Sequence, residues 1–193
     1  MKHSFKNHWT DFLQSPSFFM AKYGANVAGP IWIAGSVLEL LIGTMTLSVL
    51  QIISSLFNIV SPATHALFGH TNTGVRLACL LGIIGTVLAV YPGIMNGEIG
   101  TIFGIIAFVG ASLLGFFSYP LTRKFGTAKN KFLRVTLGKP RRLMGLSSFV
   151  LCRLIIIFTG LAHGRGFDYI APFIIWGIGD LTFSFSRPNM EKV

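Results

Sequence analysis

The chain has 193 residues, 52% of them hydrophobic and 11% charged, with a mean hydropathy of +0.66 and a formal net charge of +10. A water-soluble domain carries about 25% charged residues, so this composition excludes an ordinary soluble fold and makes lipid the solvent of the apolar runs. No nucleic-acid motif accompanies the charge; the basic residues read as cytoplasmic loops and contacts to anionic lipid headgroups, and no nucleic acid is expected as a partner.

Residues 1–25 are expected to form an N-terminal interfacial segment. Phe5, Trp9, Phe12 and Leu13 fall on one helical face, with Lys6, Asn7 and Asp11 away from it, and Ser15-Pro16 closes the helix. The segment lacks a continuous apolar core with a small-residue cleavage site, so no signal peptide is expected. Residues 26–193 then form a single all-α, polytopic membrane bundle.

The first apolar run spans residues 28–60, with Pro30 near its start and Ser61-Pro62 after it. As one straight helix it would measure about 50 Å, against a hydrocarbon core about 30 Å thick. Either it crosses once and continues along the interface, or it breaks near Gly43-Thr44 into two arms. Gln51, Ser54, Ser55 and Asn58 make its second half the more polar, which suits an interfacial or protein-buried location. Next come Val75–Tyr91 and Ile99–Tyr119, joined by the turn Pro92 to Glu98, then Leu146–Ala162 and Tyr169–Phe185, joined at Gly164-Arg165-Gly166. Segment lengths favour about five spans, or six if residues 28–60 form a hairpin. Ser118-Tyr119-Pro120 and Ser186-Arg187-Pro188 end the last two hairpins alike, a pattern that prolines marking helix ends also explain.

Between those hairpins runs a basic loop, 121–145, holding Arg123, Lys124, Lys129, Lys131, Arg134, Lys139, Arg141 and Arg142 and no acid. The positive-inside rule places it, the segment from His65 to Arg76 and the C-terminus on the cytoplasmic side. The loop is also the candidate contact for anionic lipid or a protein partner. The turns with Glu98 and Asp168 face the other side. A bacterial inner (plasma) membrane is the expected location, with the mitochondrial inner membrane as the alternative.

Two small-residue stripes are the most specific pattern. Ala78, Gly82, Gly85 and Ala89 lie on one span, and Gly100, Gly104, Ala107, Ala111 and Gly115 on the next; both suit close helix packing. Ionisable residues within apolar runs are the functional suspects. Arg153 and Asp180 lie 13 and 14 residues from Gly166 on opposite arms, hence at nearly equal depth, and are expected to form an intramembrane ion pair. Glu39 stands alone in the first run as a candidate ion or proton site, or as a rival to Asp180 for Arg153. His3, His8, His65, His70 and His163 lack metal-ligand spacing, and Cys79 and Cys152 read as packing residues, so no metal or cofactor is expected. No P-loop, GxSxG or GxGxxG motif appears, and no catalytic constellation marks an enzyme.

Three function classes follow. The first is a non-catalytic subunit or assembly component of a membrane complex, docked through the small-residue faces and the basic loop to other subunits or to copies of itself. The second is a small transporter or channel for an ion or solute using Glu39, Arg153 and Asp180, with helix breaks at Pro30, Pro92 and Pro172. The third, least supported, is a lipid-modifying enzyme.

Overall fold

The computed structural model describes residues 16–68, 72–125, 145–146 and 148–185. Among them every regular element is helical: α1 (Pro16–Met45), α2 (Val49–Phe68), α3 (Asn72–Met95), α4 (Ile99–Phe125), α5 (Ser148–Ala162) and α6 (Phe167–Phe185). Residues 5–13 of the expected interfacial helix lie outside the described residues, as do Lys129, Lys131, Arg134, Lys139, Arg141 and Arg142; Arg123 and Lys124 belong to the end of α4. Two stretches, Val27–Met45 and Arg76–Met95, are long and apolar enough to cross a membrane, while Ile99–Gly110 and Ser148–Ala162 are apolar but shorter.

The first apolar run folds back on itself. Of the two expected alternatives it takes the break into two arms, with the turn at residues 46–48, just after Gly43-Thr44, and α2 continues through Pro62 to Phe68. Pro30, Pro92 and Pro172 likewise sit inside helices, so none of them marks a break and the second turn begins only after Met95. A proline forfeits one backbone hydrogen bond, and packing on neighbouring helices outweighs that loss in an apolar bundle. His65 and Arg76 belong to helices rather than to a loop.

The three hairpins turn in the same way. In the first, the Ser48 amide donates to the Gly43 carbonyl (2.8 Å) and the Leu47 amide to Thr44 (3.4 Å). Glu98 to Gly93 (3.0 Å) and Gly97 to Ile94 (3.0 Å) repeat the pattern, as do Arg165 to Gly160 (2.9 Å) and Gly164 to Leu161 (3.1 Å). This is the Schellman C-cap, whose first residue past the cap is left-handed. Gly97 (φ 70°) and Gly164 (φ 67°) fill that position in two hairpins, whereas Leu47 (φ 53°) fills it in the first at a steric cost. Aligning the first two turns offsets the sequence by 50. Ile33, Gly35, Val37, Leu38, Gly43, Met45 and Ile52 then coincide with Ile83, Gly85, Val87, Leu88, Gly93, Met95 and Ile102, seven identities in twenty positions. A sequence repeat is thus visible around the first two turns, while Ser186-Arg187-Pro188 lies outside the described residues.

Helix contacts run α1–α2–α3–α4–α5–α6 and close from α6 to α1. Glycines make the seams between hairpins. A side-chain methyl at Gly82 would meet Ser61 and one at Gly85 would overlap Asn58, so the α3 stripe packs on α2. Gly100 and Gly104 face Thr159 and Ile156, so the α4 stripe packs on α5; Ala111 and Gly115 lie farther along the same helix. The closing seam is reciprocal: the Trp176 ring fills the space over Gly35, and the Trp32 ring that over Gly179. These contacts, with the antiparallel course of the helices, put all three turns at one end of the bundle.

Polarity is inverted relative to a soluble fold. Large apolar side chains face outward on every helix, among them Leu41, Ile53, Leu80, Phe103, Phe158 and Ile178, while Glu39, Ser54, Thr86, Arg153 and Asp180 are buried. A soluble fold would reverse that arrangement.

Candidate functional site

Arg153 and Asp180 meet inside the bundle. Arg153 Nε donates to Asp180 Oδ2 at 3.1 Å, both side chains being under a tenth exposed. The Trp32 indole N–H donates to Asp180 Oδ1 at 3.1 Å, so both carboxylate oxygens are engaged. The guanidinium lies over the rings of Phe108 (4.7 Å) and Trp176 (5.1 Å), whose π faces attract a cation. Its Nη1 is buried without a hydrogen-bond partner. The backbone from Ser148 to Leu154 is a π-helix, one residue per turn wider than an α-helix. Arg153 lies in this segment and is buried, and a 3.6-residue periodicity in the sequence does not reveal the wider helix.

Trp176 binds the first hairpin. Its indole N–H donates to the Trp32 carbonyl (3.2 Å) and to Ser36 Oγ (3.1 Å), and Ser36 Oγ donates to the same carbonyl (2.9 Å). The closing seam therefore carries polar bonds as well as the glycine fit.

Glu39 occupies a separate cluster where α1, α2 and α3 converge. Ser54 Oγ lies 2.8 Å from Glu39 Oε1 and 2.8 Å from the Gly85 carbonyl, and Asn58 Nδ2 lies 3.3 Å from Ser54 Oγ and 3.5 Å from Glu39 Oε2. Glu39 does not displace Asp180 from Arg153, although the Arg153 charge reaches it electrostatically. Ser54 and Asn58 stood out in the sequence only as polar residues of the second arm. They meet Glu39 because the run folds back at Leu47, with Glu39 and Ser54 eight and seven residues away on opposite arms.

A third charge site escaped the sequence reading. Arg165 donates to Glu98 Oε1 through Nη2 (2.6 Å) and Nε (3.0 Å), and Thr101 Oγ1 donates to Glu98 Oε2 (2.9 Å). Glu98 is 1% exposed and Arg165 leans on the Tyr169 ring at 5.4 Å. The pair ties the second turn to the third. Opposite charges in two turns at one end of the bundle were the available signal.

Among the described residues no group of three or more His, Cys, Asp or Glu could hold a metal ion. The buried charged and amide groups among the described residues are three carboxyls (Glu39, Glu98 and Asp180), the Arg153 guanidinium and the Asn58 amide, together with several hydroxyls. The fold and site define, among the described residues, an all-helical bundle with an apolar outer surface, in which buried polar and charged groups sit beside an apolar core of Val90, Ile105, Phe108, Ile156, Phe173 and Trp176. Two of its helices are long and apolar enough to cross a membrane. Comparison with protein-family models, curated proteins and solved structures finds no match.

Proposed function

We propose that this chain is a polytopic membrane protein of six spans, arranged as three hairpins, and that it transports a small ion or solute by way of the charged and polar groups buried among its helices. The observation that carries the reading is the placement of Glu39, Arg153 and Asp180, all 5% exposed or less, inside a bundle whose outer surface is apolar. Charge held at membrane depth is costly and is retained where it does work. Counting along the helices, Glu39 lies about 12 Å and Asp180 about 20 Å from the turn end, the middle of a bilayer about 30 Å thick. With six spans the basic 121–145 region and the N-terminus share the cytoplasmic side, and the three turns face the other. Bacterial inner membrane remains the proposed location, with anionic lipid on the basic side.

The reading is tested by current measurements on proteoliposomes challenged with jumps of inorganic ions, small carboxylates and amino acids. The wild type gives a transient current with one class of solute. Glu39→Gln abolishes it while the amount of inserted protein stays the same.

A complex subunit is the second reading, favoured by the protein partners that already occupy every oxygen of Glu39 and Asp180. The described small-residue contacts are spent inside the chain, so such a subunit would dock through its outer apolar faces or the basic region. A stoichiometric protein partner retained in mild detergent, with no current from the wild type, selects it over transport.

A further inference from the structure

The Glu39 cluster contains more acceptors than hydrogens. Ser54 Oγ stands 2.8 Å from both Glu39 Oε1 and the Gly85 carbonyl oxygen. A hydroxyl has one hydrogen; a carbonyl and an ionised carboxylate have none. One hydrogen shared between two acceptors makes two weak, bent bonds, whereas two hydrogens, one for each contact, satisfy both at this length. Asn58 Nδ2 supplies neither contact, since it directs one hydrogen at Ser54 Oγ (3.3 Å) and the other at Glu39 Oε2 (3.5 Å). The peptide carbonyl at Gly85 cannot carry a hydrogen, so the second one belongs to the carboxyl.

We propose that Glu39 is a proton-carrying site: a carboxylic acid that donates a hydrogen bond to Ser54, which in turn donates a hydrogen bond to the Gly85 carbonyl. The result is an O–H···O–H···O=C hydrogen-bond chain across α1, α2 and α3 that holds the proton on Glu39. This deepens the transport reading, on which it rests, by naming the proton as the ion that Glu39 takes up and releases. Release breaks the Glu39 O–H bond, leaves the electron pair on the carboxylate and hands the proton to water.

The surroundings suit reversible exchange. Among the described residues, α2 and α3 present only uncharged groups to Glu39: Ser54, Asn58 and the Gly85 carbonyl. From α5 and α6 the facing charges are Arg153 and Asp180, already bonded to each other. Once the proton has gone, Arg153 is the nearby cation with a spare donor, its unpartnered Nη1. Two carboxylates then share one guanidinium, and loss of the proton is felt at the α5–α6 pair. The hairpin repeat shows that the hydrogen-bond chain is no requirement of the scaffold. Glu39 and Ser54 align with Ala89 and Gly104 in the second hairpin, which turns identically without them.

The test is infrared spectroscopy of the full chain in lipid vesicles, reading the carbonyl stretch of a protonated carboxyl in H2O and D2O, beside proton flux into vesicles containing a pH-sensitive dye. The wild type shows a deuterium-sensitive band. Glu39→Gln, which keeps the shape of the side chain, removes it; Asp180→Asn leaves it. Ser54→Ala keeps the band but moves its frequency, because the acceptor is gone, and this arm stands if Glu39→Gln does not fold. Absence of the band from the wild type, its survival in Glu39→Gln, or an unmoved band in Ser54→Ala each overturns the proposal. A band with the stated pattern but no flux supports the proton site and refutes transport. Flux with no band does the reverse.

Discussion

Removing Asp180 strands more than one group. In Asp180→Ala, Arg153 keeps its charge but loses the carboxylate at Nε, beside an Nη1 that already lacks a partner, and the Trp32 N–H loses its acceptor. Stripping one member from a buried ion pair costs about 3–5 kcal/mol in soluble proteins. An unfolded reference still in lipid or detergent retains some partners for the freed groups, so the lower end, about 3 kcal/mol, applies. That is about a hundredfold in the folding equilibrium. Arg153→Met leaves Asp180 with the indole N–H alone and should cost a similar amount. Independent effects would sum to about 6 kcal/mol in the double variant. The pair geometry predicts instead about 3 kcal/mol or less, because the double variant leaves no buried charge unpaired. The assay is reversible unfolding in mixed micelles, followed by circular dichroism for all four proteins. If the single costs add to within about 0.5 kcal/mol, the two residues do not act as a pair and the reasoning is wrong.

Four further outcomes follow from the geometry. Arg165→Ala should destabilise more than Glu98→Ala, since it strands a carboxylate that is 1% exposed, whereas the Arg165 side chain is 25% exposed and can hydrate; the reverse order in the same unfolding assay refutes the assignment. Leu47→Gly should raise stability by about 1 kcal/mol by relieving the left-handed position, and a lower melting temperature would count against the shared turn. In Gly179→Ala the added methyl overlaps the Trp32 ring, which should cost about 1–3 kcal/mol and weaken the indole bond to Asp180; unchanged stability would show that the seam is loose. Cysteines placed singly at 47, 97 and 164, in a background lacking Cys79 and Cys152, should all label from the face opposite the basic region. Labelling of one position from the basic side rules out three like-oriented hairpins.

Hydropathy made the helical character and the last two hairpins legible, because apolar runs of span length separated by glycine turns admit few alternatives. The ends of the elements were harder. Pro62 and Pro92 mark helix termini in aqueous folds but sit inside α2 and α3. The first turn lacked the glycine that announces a left-handed cap, since Leu47 holds that position. The fold-back was therefore only one of two alternatives, and that left the Glu39 cluster hidden: Ser54 and Asn58 reach Glu39 only in a chain that folds back there. Arg153 and Asp180 could be brought together by depth counting alone, because their hairpin is joined by a plain short turn. The Glu98–Arg165 pair required knowing that the second and third turns lie side by side, which a single sequence read in one dimension does not convey.

Each hairpin leaves from and returns to the same end of the bundle. A unit built that way can be copied in tandem with every copy keeping its orientation, whereas a unit with an odd number of crossings would be inverted at each duplication. One basic segment is then enough to orient all the copies. The glycine seams let a new copy close against the old ones, while interior side chains are free to diverge. Ser36, Thr86 and Arg153, at matching distances before the three turns, illustrate that freedom: two hydroxyls and a guanidinium on the same framework. A charge acquired in one copy needs its counter-charge in a neighbour, so such an array becomes irreversible as a set: once Arg153 and Asp180 depend on Trp32 across the closing seam, the first and third hairpins can no longer be exchanged or lost independently.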